Sequence, residues 1–178
     1  MLNSIVGLFF CIPIYLVLLL WGIKNKYSFG KHIVIFMFSL YIGFVISLTI
    51  FPLPFQKEVI EMNQQAKYMH NNFIPFKSIC QLIKTGNMYI IIRNILGNIA
   101  LFMPLGFILP LISKRKLTIK SISIIGLMSS IGVEFIQYCI SLILGYTYKI
   151  TDVDDIILNF IGAILGFIAL KLICIIKE

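Results

Sequence analysis

The chain has 178 residues, of which 60% are hydrophobic and 12% charged, with a mean hydropathy of +1.00. Soluble domains carry about 45–50% apolar and ~25% charged residues, so this composition excludes an ordinary water-soluble domain and points to a small polytopic membrane protein. The formal net charge of +8 falls in short loops between apolar runs rather than on one soluble face, which argues against a nucleic-acid partner.

Taken in order, residues 4–23 are uncharged, long enough to span a bilayer, and carry Trp21 where an interfacial aromatic is expected. No basic residue lies in Met1 to Ser4 and no small-x-small site follows, so this first run is expected to be retained. Lys24, Lys26, Lys31 and His32 form a basic loop before a second span, 33–55, which the prolines of Phe51-Pro52-Leu53-Pro54-Phe55 should stop.

Residues 56–87 are the one long polar connection. Within it Phe76, Ile79, Cys80 and Ile83 share a helical face opposite Lys77, Ser78, Gln81 and Lys84, after Pro75 and before Gly86. That pattern predicts a short amphipathic helix in the membrane interface, with a loop packed on the bundle as the alternative. Further spans follow at 88–112, 121–144 and 155–176, giving an all-α bundle of five transmembrane helices in a single domain, 1–178. Cys11, Cys80, Cys139 and Cys174 form no CxxC pair or metal-ligand spacing and read as packing residues; a Cys80 to Cys139 disulfide is the alternative use of that pair.

The fourth span carries a polar stripe. Gly126, Ser130, Glu134, Gln137 and Ser141 recur at helical spacing, so they line one face of an otherwise lipid-compatible helix. A carboxylate inside a span needs a partner, a proton or a water-filled cavity. Two readings of Glu134 stand: a buried ion pair with Arg93 that fixes the bundle, or an acid, base or cation-binding group in a cavity.

Orientation follows from the loops. Lys24, Lys26, Lys31, Lys114, Arg115, Lys116, Lys120, Lys171 and Lys177 fall on one side, against Lys57, Lys67, Lys77, Lys84 and Lys149 on the other. Glu178 is the one acidic residue on the first side. By the positive-inside rule the first side is cytoplasmic, with the N-terminus outside and the C-terminus inside a bacterial cytoplasmic membrane.

This topology brings polar residues to a common depth in the outer half of the bilayer: Arg93, Asn94 and Asn98 on the third span, Glu134 and Gln137 on the fourth, and Asp152, Asp155 and Asn159 at the fifth. Asp152, Asp154 and Asp155 with Glu134 could bind a divalent cation through oxygen, but acidic residues also favour a helix start, so the expectation is no cofactor and no metal. Gly162 and Gly166 are a helix-packing signal. Residues 94–102 (NILGNIALF) echo 159–167 (NFIGAILGF), which predicts that Asn94 and Asn159 sit level on helices running the same way.

The motifs NNFIPF (71–76), RNILGNIALFMPLGFILPL (93–111), SSIGVEFIQ (129–137) and TDVDDIILNFIGAILGF (151–167), in that order, resemble the VanZ-like family of membrane proteins, named for a teicoplanin resistance determinant. Lys149 stands where family members commonly have arginine, three residues before the first aspartate. The resemblance implies reduced susceptibility to teicoplanin-type glycopeptides. The polar residues themselves predict an outer-leaflet cavity for a lipid headgroup or a lipid-linked cell-wall intermediate. In it Lys149 or Arg93 would meet phosphate, and carboxylates and amides would meet sugar or peptide groups. The alternatives are an intramembrane enzyme on a lipid-linked substrate with Glu134 as its general base, and a small proton-coupled transporter.

Overall fold

The computed structural model describes residues 4–65 and 70–176; Lys67, Lys177 and Glu178 of the loop-charge reading, and residues 1–3, lie outside them. The chain forms eight helices among the described residues: α1 (Ser4–Leu8), α2 (Cys11–Lys24), α3 (Phe29–Thr49), α4 (Lys57–Gln65), α5 (Lys77–Lys84), α6 (Met88–Ile112), α7 (Ile119–Leu144) and α8 (Val153–Ile176). Among the described residues five segments are long and apolar enough to cross a membrane: Ile5–Lys24, Phe29–Thr49, Met88–Ile112, Ile119–Leu144 and Val153–Ile176.

The first span is broken between α1 and α2. Pro13 has no N–H to offer and its ring crowds the Phe9 carbonyl, so the chain tightens there into three-residue turns, with Phe9, Phe10 and Ile12 each donating to the residue three before. The second span begins earlier than expected, at Phe29, and ends earlier, at Thr49, because a residue preceding proline is disfavoured in the helical region and Phe51 precedes Pro52. The polar connection holds the expected short helix, α5, and also α4, which no apolar periodicity announced.

Small residues set the helix contacts. A Cβ on Gly162 would stand 2.1 Å from the Ile99 carbonyl oxygen, one on Gly166 1.9 Å from that of Met103, and one on Gly106 1.8 Å from that of Ala163. α6 and α8 are therefore pressed backbone to backbone as a parallel pair, and Phe102, Leu105, Ile122, Ala163 and Phe167 form the core beside them. α7 packs on α8, while α1 and α2 lean on α3, which in turn leans on α6. The pairing of Asn98 with Asp155 and of Ile99 with Gly162 sets the register. Asn159 is thus level with the Asn98 turn, and Asn94 lies about one turn nearer the helix start, which corrects the level pairing that the sequence echo predicts.

Each end of the bundle gathers the expected loops. Tyr27, between α2 and α3, donates to the Ile112 carbonyl at 3.0 Å, and the ammonium groups of Lys31 and Lys114 lie 4.5 and 6.0 Å from its ring. At the opposite end Gln64 of α4 donates to the Leu144 carbonyl at 2.7 Å. All four cysteines are free thiols, Cys80 and Cys174 exposed.

Candidate functional site

The site is built at the end of the bundle where α6 and α8 begin and α3 and α7 finish. The three aspartates of the Thr151–Asp155 stretch point to three tasks. Asp152 caps α8, its Oδ1 accepting from the Asp154 amide at 2.9 Å, and takes a second bond from Asn72 Nδ2 at 2.8 Å. Asp154, 1% exposed, caps α5 instead, accepting from the amides of Phe76 and Ile79. Asp155 accepts from Asn98 Nδ2 across the α6–α8 seam. Asn72 also pairs by its backbone with the loop before α8, accepting from Val153 N and donating to the Thr151 carbonyl.

Among the described residues no three histidines, cysteines or acids converge as a metal-binding group. The aspartates reach amide donors from α5, α6 and the α8 start, and this division of labour explains why closeness in sequence does not make them a cluster.

Lys149 and Tyr148 close the end of α3. The Lys149 ammonium donates to the carbonyls of Leu48, Thr49 and Phe51 at 2.8, 2.7 and 3.2 Å. The Tyr148 hydroxyl points between the carbonyls of Ile50, at 2.9 Å, and Pro52. These are the acceptors a helix leaves unpaired at its C-terminus, where a cation also suits the helix dipole. Burial lowers the Lys149 pKa from its ordinary value, with the nearby Glu134 carboxylate pulling it back up. Burial raises the Tyr148 phenol to about 12, with Tyr146 adding to the rise, so it remains a donor. Lysine has three ammonium protons, and all three have backbone acceptors here.

The α7 stripe holds this arrangement from inside, and every member predicted to share a face is buried. Gly126 lies against Ala163, Ser130 accepts from Asn159 Nδ2 at 3.0 Å, Gln137 donates to the Thr49 carbonyl at 2.8 Å, and Ser141 accepts from the Tyr148 amide at 3.1 Å. Glu134 accepts from the Asp152 amide through Oε2 at 2.9 Å.

Between α3, α6, α7 and α8 lies a chamber of about 290 Å3. Of the residues singled out in the sequence, Arg93, Asn94, Asn98, Glu134, Gln137, Asp155 and Asn159 all line it, while Lys149 and Asp152 do not. Arg93 and Asn94 are exposed at the rim, and Glu134 and Asn159 are buried inside. Asn159 Oδ1 has no hydrogen-bond partner among the described residues. The structure shows no ion pair between Arg93 and Glu134: the glutamate is held by a backbone amide and the arginine sits at the exposed start of α6. A larger space of about 570 Å3 beneath α5 shares Asn94 and Asp155 with the chamber.

Sequence reasoning missed the wall that α3 supplies, Leu48 and Thr49, and the roles of Asn72 and Tyr148. An asparagine pair ahead of a proline was the signal available for Asn72.

Five apolar spans, four of them lining a polar, carboxylate-bearing chamber, define a multi-pass α-helical membrane protein. The family model described as VanZ/LLP1 matches residues 38–175, and the chain belongs to that family. The match takes in every chamber-lining residue. No curated protein and no solved structure matches the chain.

Proposed function

We propose that this VanZ-family protein sits in a bacterial cytoplasmic membrane, N-terminus outside, and that its chamber binds a lipid headgroup or lipid-linked cell-wall amphiphile at the outer leaflet. Binding there lowers susceptibility to teicoplanin-type glycopeptides. The observation that carries this reading is the chamber itself, which an exposed guanidinium at the rim shares with the buried Glu134 carboxylate, the half-buried Asp155 and the buried amides of Gln137 and Asn159. Glu134 lies about 15 Å from the end of α7 at ~1.5 Å rise per residue, within reach of a headgroup but not of bulk solvent. Phosphate falls to Arg93 rather than to Lys149, whose protons are committed to the α3 carbonyls.

Expression in a teicoplanin-sensitive host tests the reading. Wild type should raise the inhibitory concentration, and Glu134→Gln and Asp155→Asn should lose that effect at unchanged membrane abundance. Unaltered susceptibility with confirmed insertion of the wild type would sink it.

A further inference from the structure

The polar chamber adjoins an apolar one. Thr49 and Val133 line it and also line a second space of about 300 Å3, walled by Ile42 and Ile46 of α3, Phe102 of α6, and Gly132 and Ile136 of α7. Two of the three hydroxyls on its wall are spent within the protein, Tyr41 donating to the Leu101 carbonyl at 2.9 Å and Thr49 to the Val45 carbonyl at 2.7 Å; the third, Ser129, lies at the end away from the chamber. α3 packs on α6 and α7 on α8, with little contact between α3 and α7 themselves, so this space is a groove between α3 and α7 with Phe102 and Leu105 of α6 as its floor. Ile136 on its lip is 43% exposed. On α7 the groove reaches from Ile136 back to Ser129, whereas the chamber reaches from Val133 to Gln137. The groove therefore starts beside the chamber and runs toward the middle of the helix, the direction a lipid tail takes from its head.

We propose that this groove holds one acyl chain of the amphiphile whose head fills the chamber, and that the amphiphile enters from the bilayer between α3 and α7. The inference rests on the chamber being a headgroup site. It also narrows the ligand class. Two carboxylates, Glu134 and Asp155, against one guanidinium favour a head that couples a phosphate, for Arg93, to hydrogen-bond donors such as ammonium or hydroxyl groups. A head bearing phosphate alone would leave the carboxylates facing an anion.

Gly132 makes the groove testable, because a Cβ built there meets nothing within 4 Å. A larger side chain enters the empty space without displacing protein. The full-length protein is placed in phosphatidylcholine vesicles with lysophosphatidylethanolamine carrying a photoreactive group in its single chain. Crosslinks should concentrate on residues 42–50 and 129–136, and exceed those on the exposed face of α2. Gly132→Phe should cut labelling of both groove segments at least about tenfold, the loss expected when even a few chain methylenes leave a buried site, with α2 labelling unchanged. Ile46→Trp narrows the opposite wall and serves if Gly132→Phe does not insert. Labelling spread evenly over the lipid-facing helices, or unaffected by filling the groove, overturns the proposal. If Glu134→Gln reduces labelling and Gly132→Phe does not, the headgroup site stands and the acyl groove falls. If neither variant matters, the headgroup reading fails with it.

Discussion

The Asp152 backbone amide donates to Glu134 Oε2 at 2.9 Å while the Asp152 side chain caps the helix that begins at the next residue. A buried carboxylate in the middle of one span is thus held by the start of another. The positive end of the α8 dipole lies against Glu134, which does the work that a neighbouring cation would otherwise do. This is why Arg93 is free to stand at the chamber rim. It also couples the geometry of the chamber to the loop before α8, since moving Asp152 moves the donor that orients Glu134.

Lys149 is expected to act on the fold before it acts on any ligand. Its three carbonyl contacts tie the loop before α8 to the end of α3, and hydrogen bonds involving a charged group are worth about 1.5–3 kcal/mol. Lys149→Met should lower stability by about 2 kcal/mol, read as a fall of several degrees in the melting temperature of detergent-purified protein. Lys149→Arg should hold most of that stability, because a guanidinium offers five donors to the same carbonyl set. Equal destabilisation by both variants would show that the ammonium geometry, not the charge, is what the α3 end requires.

Asp154 makes a separate prediction at α5. Removing a capping side chain costs about 0.5–2 kcal/mol, and here it leaves the part-buried amides of Phe76 and Ile79 without their acceptor. Asp154→Ala should loosen α5 without unfolding the five spans. Limited trypsin digestion should then cut faster at Lys77 and Lys84, which flank that helix, with the spans still intact as a core fragment. Unchanged cleavage would mean that α5 is held by its other contacts.

Much of this was legible in the sequence because periodicity and burial cost speak directly. The α7 stripe was readable from spacing alone, since any polar residue in a lipid-exposed position is penalised and the survivors must face inward. Gly162 and Gly166 announced close helix contact for the same reason of simple sterics. Partner identity was less readable. An ion pair between Arg93 and Glu134 was the natural guess from charge, yet the backbone amide of Asp152 made the contact, and sequence does not display backbone donors as partners. Lys149 misled similarly: a lone cation near acids suggests a ligand, whereas the unpaired carbonyls at the end of α3 arise only once that helix stops before Phe51-Pro52. The register of α6 on α8 escaped because the shared motif is set by glycine packing, and the glycines meet carbonyls rather than one another.

Glycines separate packing from open space in a way that substitution can read. At Gly162 a Cβ would fall 2.1 Å from the Ile99 carbonyl oxygen, so Gly162→Ala must push α6 and α8 apart. Overpacking of this kind typically costs 1–3 kcal/mol, about the upper half of which is expected where the obstacle is backbone. Gly97, on the chamber side of α6, has nothing within 4 Å of its Cβ position, and Gly97→Ala should be near neutral in stability. Thermal unfolding of the two variants side by side tests this. A destabilised Gly97→Ala with an unaffected Gly162→Ala would reverse the assignment of the tight seam to α6 and α8.

Orientation decides whether the chamber faces the outer leaflet, and it can be measured without any ligand. Gln64 lies at the chamber end, bonded to the Leu144 carbonyl, and Lys116 lies in the exposed turn between α6 and α7 at the other end. Cys11, Cys80, Cys139 and Cys174 are all free thiols, so a background with each replaced by serine removes competing reactivity. In intact cells a membrane-impermeant maleimide should label Gln64→Cys, and should label Lys116→Cys only after the membrane is opened. The basic residues at the α2–α3 and α6–α7 turns predict that outcome, because translocating them across the membrane is disfavoured. Labelling of Lys116→Cys in intact cells, with Gln64→Cys protected, would place the chamber on the cytoplasmic leaflet and remove the outer-leaflet amphiphile from the proposal.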